Sequence, residues 1–182
     1  EAYRRGRPAL VLISTVLPRS LSQTLLLMLG AGALTLVTGA GAAWLVTMYR
    51  FPGRGVLDRL LVIPLAMPTY IIAYSYVELL DYSGPVQSAL RALLGVTSAR
   101  DYWFPDIHSW PAAGVFLGLA LYPYVYLLSR AAFADRSPSL GEAARSLGLT
   151  RQRVWWRVTW PVARPAVVAG CALAMMETLA DF

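Results

Sequence analysis

The 182-residue chain contains no lysine, a single histidine and a single cysteine. A Walker A phosphate loop and a Schiff-base enzyme both need a lysine, so these residues supply neither. His108 alone is too few for an HExxH zinc helix, and Cys171 alone cannot form an internal disulfide or a cysteine-based zinc site. We therefore predict no bound cofactor and no fixed metal site.

Charged residues are also scarce and unevenly distributed. They make up 14% of the chain, whereas hydrophobic residues make up 57%. Four runs lack Asp, Glu, Lys and Arg altogether: 20–49, 60–77, 107–129 and 165–176. A helix that crosses a bilayer needs about 20 mostly apolar residues. The composition therefore predicts an all-α polytopic membrane protein and argues against a water-soluble domain, a disordered tail, a coiled coil and a disulfide scaffold.

Within these runs the sequence predicts four transmembrane helices, at 21–48, 60–77, 110–129 and from 165 onward. Pro64 and Pro68 should kink the second helix, because proline removes a helix hydrogen bond. Small residues at four-residue spacing, such as Gly114 and Gly118, allow neighbouring helices to approach closely. Between the second and third spans, residues 85–94 have the pattern of a short amphipathic helix at the membrane surface.

The arginines predict the orientation of the spans. The 50–59 link has three, the 130–164 segment has seven, and the 78–106 segment has two against four acidic residues. Cytoplasmic loops carry the excess of basic residues, so 50–59 and 130–164 are predicted inside and 78–106 outside. Residues 1–19 then form an external segment, which a further helix before residue 1 would explain. The net charge of +6 flanks apolar runs and indicates a membrane rather than a nucleic-acid partner.

The arginine-rich segment contains a compact helix signal. Ser139 and Glu142 have the spacing of a capping box. The residues that follow place one apolar stripe on a two-turn helix, at Leu140, Ala143, Ala144 and Leu147. Gly148 is placed to end this helix in the left-handed conformation. A helix this short is marginal alone in water, so its stripe should dock on a partner or on its own membrane domain.

A second helix is predicted to follow. Thr150 can cap a helix over 151–158, and Pro161 is predicted to end it.

The spacing of this segment resembles a known family motif. The segment is similar to the EAA loop of ABC importer permeases, EAA-x3-G-x9-I-x-L-P. In this chain the matching positions are Glu142-Ala143-Ala144, then Gly148 after three residues, Val158 after nine more, and Trp160-Pro161 after one more. Val158 replaces the usual Ile, and Trp160 replaces the usual Leu. The likeness covers nearly the whole chain, which is most similar to iron(III) permeases of the type I, binding-protein-dependent class.

The resemblance implies a transport subunit that is not itself an enzyme. Residues 20–182 would form the transmembrane domain, incomplete at its C-terminus, and 130–164 would be the loop that couples it to a separate ATPase. The coupling residues would be Ser139, Leu140, Glu142, Ala143, Ala144, Leu147, Gly148 and Pro161. The implied partners are an ABC ATPase, a periplasmic or extracellular binding protein, a second permease half and the lipid bilayer, all at the bacterial inner membrane.

Glu177 and Asp181 lie four residues apart in the last span. Carboxylates at membrane depth are costly and usually face a cavity or a partner. They are candidates for a cation path, with placement near the outer end of the span or pairing with arginine as the alternative. Tyr70, Tyr74 and Tyr76 in the second span are interpreted as packing or interfacial residues.

The sequence leaves the substrate open. Iron(III) is favoured by the resemblance, but thiamine, polyamines and sulfate use similar permeases. An ion-coupled secondary transporter, in which Glu177 and Asp181 would titrate, is a different class of function. A membrane scaffold without transport is a third.

Overall fold

The computed structural model describes residues 17–98, 100–135, 146 and 148–180, and it contains no β-strand within them. The first helix, α1, spans Leu17–Met48 and includes a π-helical turn at Leu36–Ala40. Three short helices follow: α2 (Arg54–Leu60), α3 (Thr69–Leu80) and α4 (Pro85–Leu94). The long helix α5 (Trp110–Ala134) comes next. The last, α6, runs through Arg151–Val154, a π-helical turn at Trp155–Thr159, and Trp160–Ala180. The predicted all-α class is confirmed.

Within the described residues, three helices are long and apolar enough to cross a membrane, namely α1, α5 and α6. They correspond to the first, third and fourth predicted spans. Helix α1 begins at Leu17, three residues before the predicted domain boundary, and residues 1–16 lie outside the described residues. The external placement of the N-terminal segment therefore stays a prediction.

The predicted span over 60–77 is bent, as its prolines predict, but it is not one continuous helix. The structure divides this region between α2, a 3₁₀ turn at Ile63–Ala66, and α3, and the chain direction changes by 106°. Met67 is extended, with φ −116° and ψ 143°, because the ring of Pro68 disfavours the helical region for the residue before it. The region is a broken span or a re-entrant loop rather than a continuous helix.

The prediction that a helix over 151–158 ends at Pro161 is wrong, although the helix does begin at Arg151. Here the N–H of Trp160 bonds the carbonyl of Trp155, five residues back, and the helix continues through Pro161 to Ala180. A proline ring normally clashes with the carbonyl of the preceding turn. The wider π turn directly before Pro161 relieves that clash, so the helix continues instead of stopping.

Helix α5 lies at the centre of the bundle and packs against both α1 and α6. The close approach depends on glycines that face one short stretch of α5. A Cβ on Gly39 of α1 would lie 2.7 Å from the carbonyl oxygen of Tyr122, and one on Gly170 of α6 would lie 2.8 Å from the Cα of Val125. These glycines bring three backbones together around Val125, which is fully buried.

The segment before α5 carries the predicted amphipathic helix with its predicted bounds, Pro85–Leu94. It is attached by polar contacts: Gln87 donates to the carbonyl of Leu80 over 2.8 Å, and Arg91 donates to the carbonyl of Tyr82 over 2.8 Å. Leu93 and Trp103 are each 85% exposed. This apolar exposure agrees with a position at a membrane surface.

Candidate functional site

The segment between α5 and α6 carries the motif predicted to couple the bundle to a partner. Two of its predicted coupling residues, Gly148 and Pro161, lie within the part of the chain that the structure describes. The other six lie outside the described residues: Ser139, Leu140, Glu142, Ala143, Ala144 and Leu147. Pro161 is exposed on the first turns of α6 after the π segment.

Gly148 has a φ of +80°, in the left-handed region. A Cβ added there would meet no atom within 4 Å. The requirement for glycine is therefore one of backbone conformation and not of space, since residues with a Cβ are strained at positive φ. The predicted left-handed conformation of Gly148 is confirmed.

The two ends of the loop are held together by aromatic side chains. Phe133 near the end of α5 contacts Trp155 at the start of the α6 π turn, with ring centroids 5.7 Å apart. Trp155 also meets Trp44 of α1 at 5.7 Å, and Trp44 meets Tyr49 at 5.1 Å. We call these four residues the aromatic cluster. The aromatic cluster joins α1, α5 and α6 at the base of the loop.

Sequence reasoning did not identify the aromatic cluster. Its one signal was the Trp155-Trp156 pair, which lies at the end of the arginine-rich segment instead of inside an apolar run. The structure separates the two tryptophans, because Trp155 is packed in the cluster whereas Trp156 is 65% exposed.

A polar cluster, also missed by sequence reasoning, lies at the same end of the bundle. The hydroxyl of Tyr126 donates to Oδ1 of Asp58 over 2.5 Å, and Arg130 Nη2 donates to Oδ2 of Asp58 over 2.6 Å. Asp58 belongs to α2, and the other two residues belong to α5. The contact places the 50–59 link and the end of α5 on one side of the bundle, in agreement with the alternation that the arginines predict.

The structure describes one of the two carboxylates that were predicted to line a cation path. Glu177 is half-buried near the end of α6, beside the buried Thr178, and Asp181 lies outside the described residues. Met175, two residues before Glu177, reaches Gly32 of α1. Of the described residues, no three His, Cys, Asp or Glu side chains are grouped so that they could hold a metal ion.

The three tyrosines of α3 differ in their surroundings. Tyr76 stacks on Phe116 of α5 with ring centroids 6.0 Å apart, which is a packing role as predicted. Tyr70 and Tyr74 are 68% and 65% exposed and border a groove of about 420 Å³ that also contains His108.

Comparison with known proteins matches residues 35–182 to a family model described as "Binding-protein-dependent transport system inner membrane component". The sulfate transport system permease protein CysT of Escherichia coli K12 is 31% identical over 140 residues, which cover 77% of this chain and 47% of that protein. The molybdenum transport system permease protein ModB of the same strain is 29% identical over 140 residues, 77% of this chain and 58% of that protein. The ModB protein of Haemophilus influenzae is 25% identical over the same shares of the two chains. This chain spans about half the length of the curated relatives it matches.

Proposed function

The chain belongs to the family of binding-protein-dependent transport system inner membrane components, and from this membership we propose that it is the permease subunit of an ATP-driven importer. Members of this family are membrane subunits of transport systems and not enzymes, in agreement with the sequence-based expectation. The proposed partners are an ABC ATPase on the cytoplasmic side, a substrate-binding protein on the outer side and a second permease half. ATP binding and hydrolysis in the partner would move the bundle between inward-open and outward-open forms.

The observation that supports this function most directly is the geometry at the base of the loop. Gly148 has the predicted left-handed conformation, and the rings of Phe133 and Trp155 contact each other at the two ends of the loop. In this proposal the loop would pass a movement of the ATPase to α5 and α6, which its two ends join. The proposed coupling residues of 139–148 would dock on the ATPase through their apolar stripe.

The proposed cargo is an oxyanion. Two of the relatives described above are named for molybdenum and one for sulfate, and none of the three is named for iron. Sulfate was among the substrates that the sequence left open, so this proposal selects it over the favoured iron(III). Molybdenum in neutral, oxidised water is a tetrahedral oxyanion like sulfate, and one path can therefore suit both.

The function is tested by reconstituting the full-length protein with its ATPase and binding protein in liposomes. We expect ATP-dependent uptake of radiolabelled sulfate or molybdate that needs the binding protein and is unaffected by a protonophore. Omitting ATP is the matched control. Uptake driven by an ion gradient without ATP would identify a secondary transporter, and uptake of iron(III) with neither oxyanion would overturn the cargo.

Substitution of Glu177 and Asp181 distinguishes an oxyanion cargo from an iron(III) cargo. A carboxylate beside the path attracts a cation and repels an oxyanion, so the cation-path proposal for these residues belongs with an iron(III) substrate. For an oxyanion cargo we expect the double variant Glu177→Gln, Asp181→Asn to take up substrate at the wild-type rate, measured in the same liposomes. A fall in uptake with ATP hydrolysis preserved would place the carboxylates on the path and favour a cation.

A further inference from the structure

Among the described residues, one polar cluster joins the side chains of α2 to α5. None of the α2 residues is buried, and Val56 and Leu60 are 62% and 53% exposed. Among the described residues, no side chain of α2 other than Asp58 has a hydrogen bond or ion pair to another helix. The apolar packing of this region begins only after α2 ends, with Leu61 and Val62.

The attachment point combines one buried and two partly exposed groups. The Tyr126 side chain is fully buried, so its hydroxyl depends on the Asp58 carboxylate for a hydrogen-bond partner. Asp58 and Arg130 keep 24% and 41% of their side chains exposed. Ion pairs with this much exposure are weak and are easily exchanged for water. The ion pair between Asp58 and Arg130 is therefore easy to open, whereas the hydrogen bond from the buried Tyr126 hydroxyl makes the closed geometry specific and favours its return.

The contact with Asp58 lies close to the α5 end of the loop. Arg130 lies three residues before Phe133 on α5, which makes the two side chains neighbours on the helix surface. Phe133 in turn contacts Trp155, so Arg130 is one side chain away from the α5 end of the loop and two side chains away from its α6 end.

We propose that Asp58, Tyr126 and Arg130 form a releasable latch that holds α2 to the loop-bearing end of α5 in this conformation and opens during the transport cycle. Asp58 is thereby a positioning residue for coupling. This inference rests on the proposed function, because it assigns the latch a part in ATP-driven transport.

The first test is the amount of substrate taken up per ATP hydrolysed by the full transporter in liposomes. We expect Asp58→Ala to lower this ratio about fivefold or more, the lower range of typical coupling effects, while assembly and ATP hydrolysis persist. Arg59→Ala, an exposed neighbour on the same helix, is the control and should keep the wild-type ratio. The charge-swapped double variant Asp58→Arg, Arg130→Asp should recover part of the ratio lost in Arg130→Asp alone. A wild-type ratio in Asp58→Ala, or no recovery in the swap, overturns the latch.

The second test traps the latch. In a Cys171→Ala background, Asp58→Cys with Arg130→Cys should be linked by a short bifunctional thiol reagent in native membranes. Linked transporters should lose uptake and regain it when a cleavable linker is reduced. Full uptake in the linked state would overturn the proposal that the latch must open. Absence of ATP-driven uptake in the wild type would overturn the proposed function instead. The latch would then be tested by comparing the yield of cross-linking with and without ATP. An equal yield in both conditions would refute the latch.

Discussion

Replacing Ala144 with Asp is expected to abolish both co-purification of the ATPase subunit and ATP-driven uptake. The sequence places Ala144 on the apolar stripe of the loop, which we propose docks in the ATPase. Burying an unpaired carboxylate there costs roughly several kcal/mol, and each 1.4 kcal/mol weakens binding about tenfold. We therefore expect affinity for the ATPase to fall about 100-fold or more, measured by co-purification and by binding to the reconstituted permease.

Two further substitutions in the loop should have smaller, ordered effects. Gly148→Val places a β-branched residue at a φ of +80°, which costs about 1–2 kcal/mol in a conformation that L-residues avoid. Gly148→Asn is its matched control, because asparagine tolerates the left-handed region and open space surrounds the position. Glu142→Ala removes half of a capping box, worth about 1 kcal/mol.

The relative size of these three effects tests whether the loop couples the permease to the ATPase. Uptake should fall most for Ala144→Asp, less for Gly148→Val and least for Glu142→Ala, with membrane insertion unchanged throughout. Full partner binding and uptake in Ala144→Asp would make the loop an ordinary connection and remove the main mechanistic support for coupling through it.

Gly170→Ala is expected to destabilise the bundle, although alanine is the better helix former. The added Cβ would lie 2.8 Å from the Cα of Val125 and 3.3 Å from the carbonyl oxygen of Tyr124. Both are backbone atoms, so α5 and α6 must separate to admit it. Overpacking of this kind costs about 1–3 kcal/mol, and the Tm of the purified full-length protein in detergent should fall by several degrees.

The same substitution at Gly30 of α1 is the matched control. A Cβ at Gly30 meets nothing within 4 Å, and replacing a mid-helix glycine with alanine is favourable by roughly 0.5–1 kcal/mol. We expect Gly30→Ala to leave the Tm unchanged or to raise it. Equal falls in Tm at both positions would mean that the effect at Gly170 does not come from contact with α5.

The membrane spans and the turn at Gly148 follow from local sequence. Long charge-free runs must be helical in a bilayer, since the hydrocarbon offers the backbone no other hydrogen-bond partners. The prediction of α1, α5, α6 and α4 depends on that rule and on apolar periodicity, and both are properties of neighbouring residues. Gly148 was predictable for the same reason, because the signal for a left-handed helix end lies within one helical turn.

Local sequence did not predict which prolines break a helix and which remain inside one. Pro68 breaks the second span through 106°, whereas Pro123, Pro161 and Pro165 remain inside continuous helices. Each proline lacks the backbone N–H that would donate a helix hydrogen bond. Whether the helix continues therefore depends on how the surrounding structure compensates for the missing hydrogen bond. A π turn precedes Pro161, and tight packing surrounds the buried Pro123.

Contacts between distant residues were decided by the tertiary structure alone. Asp58 lies 68 residues from Tyr126 and 72 from Arg130, and its position in a basic link gave no sign of a partner on α5. Phe133 and Trp155 meet only because α5 and α6 pack side by side across the loop. A hydrogen bond or ring contact acts over a few ångströms in space, so its partners depend on helix packing and not on any pattern that a single segment carries.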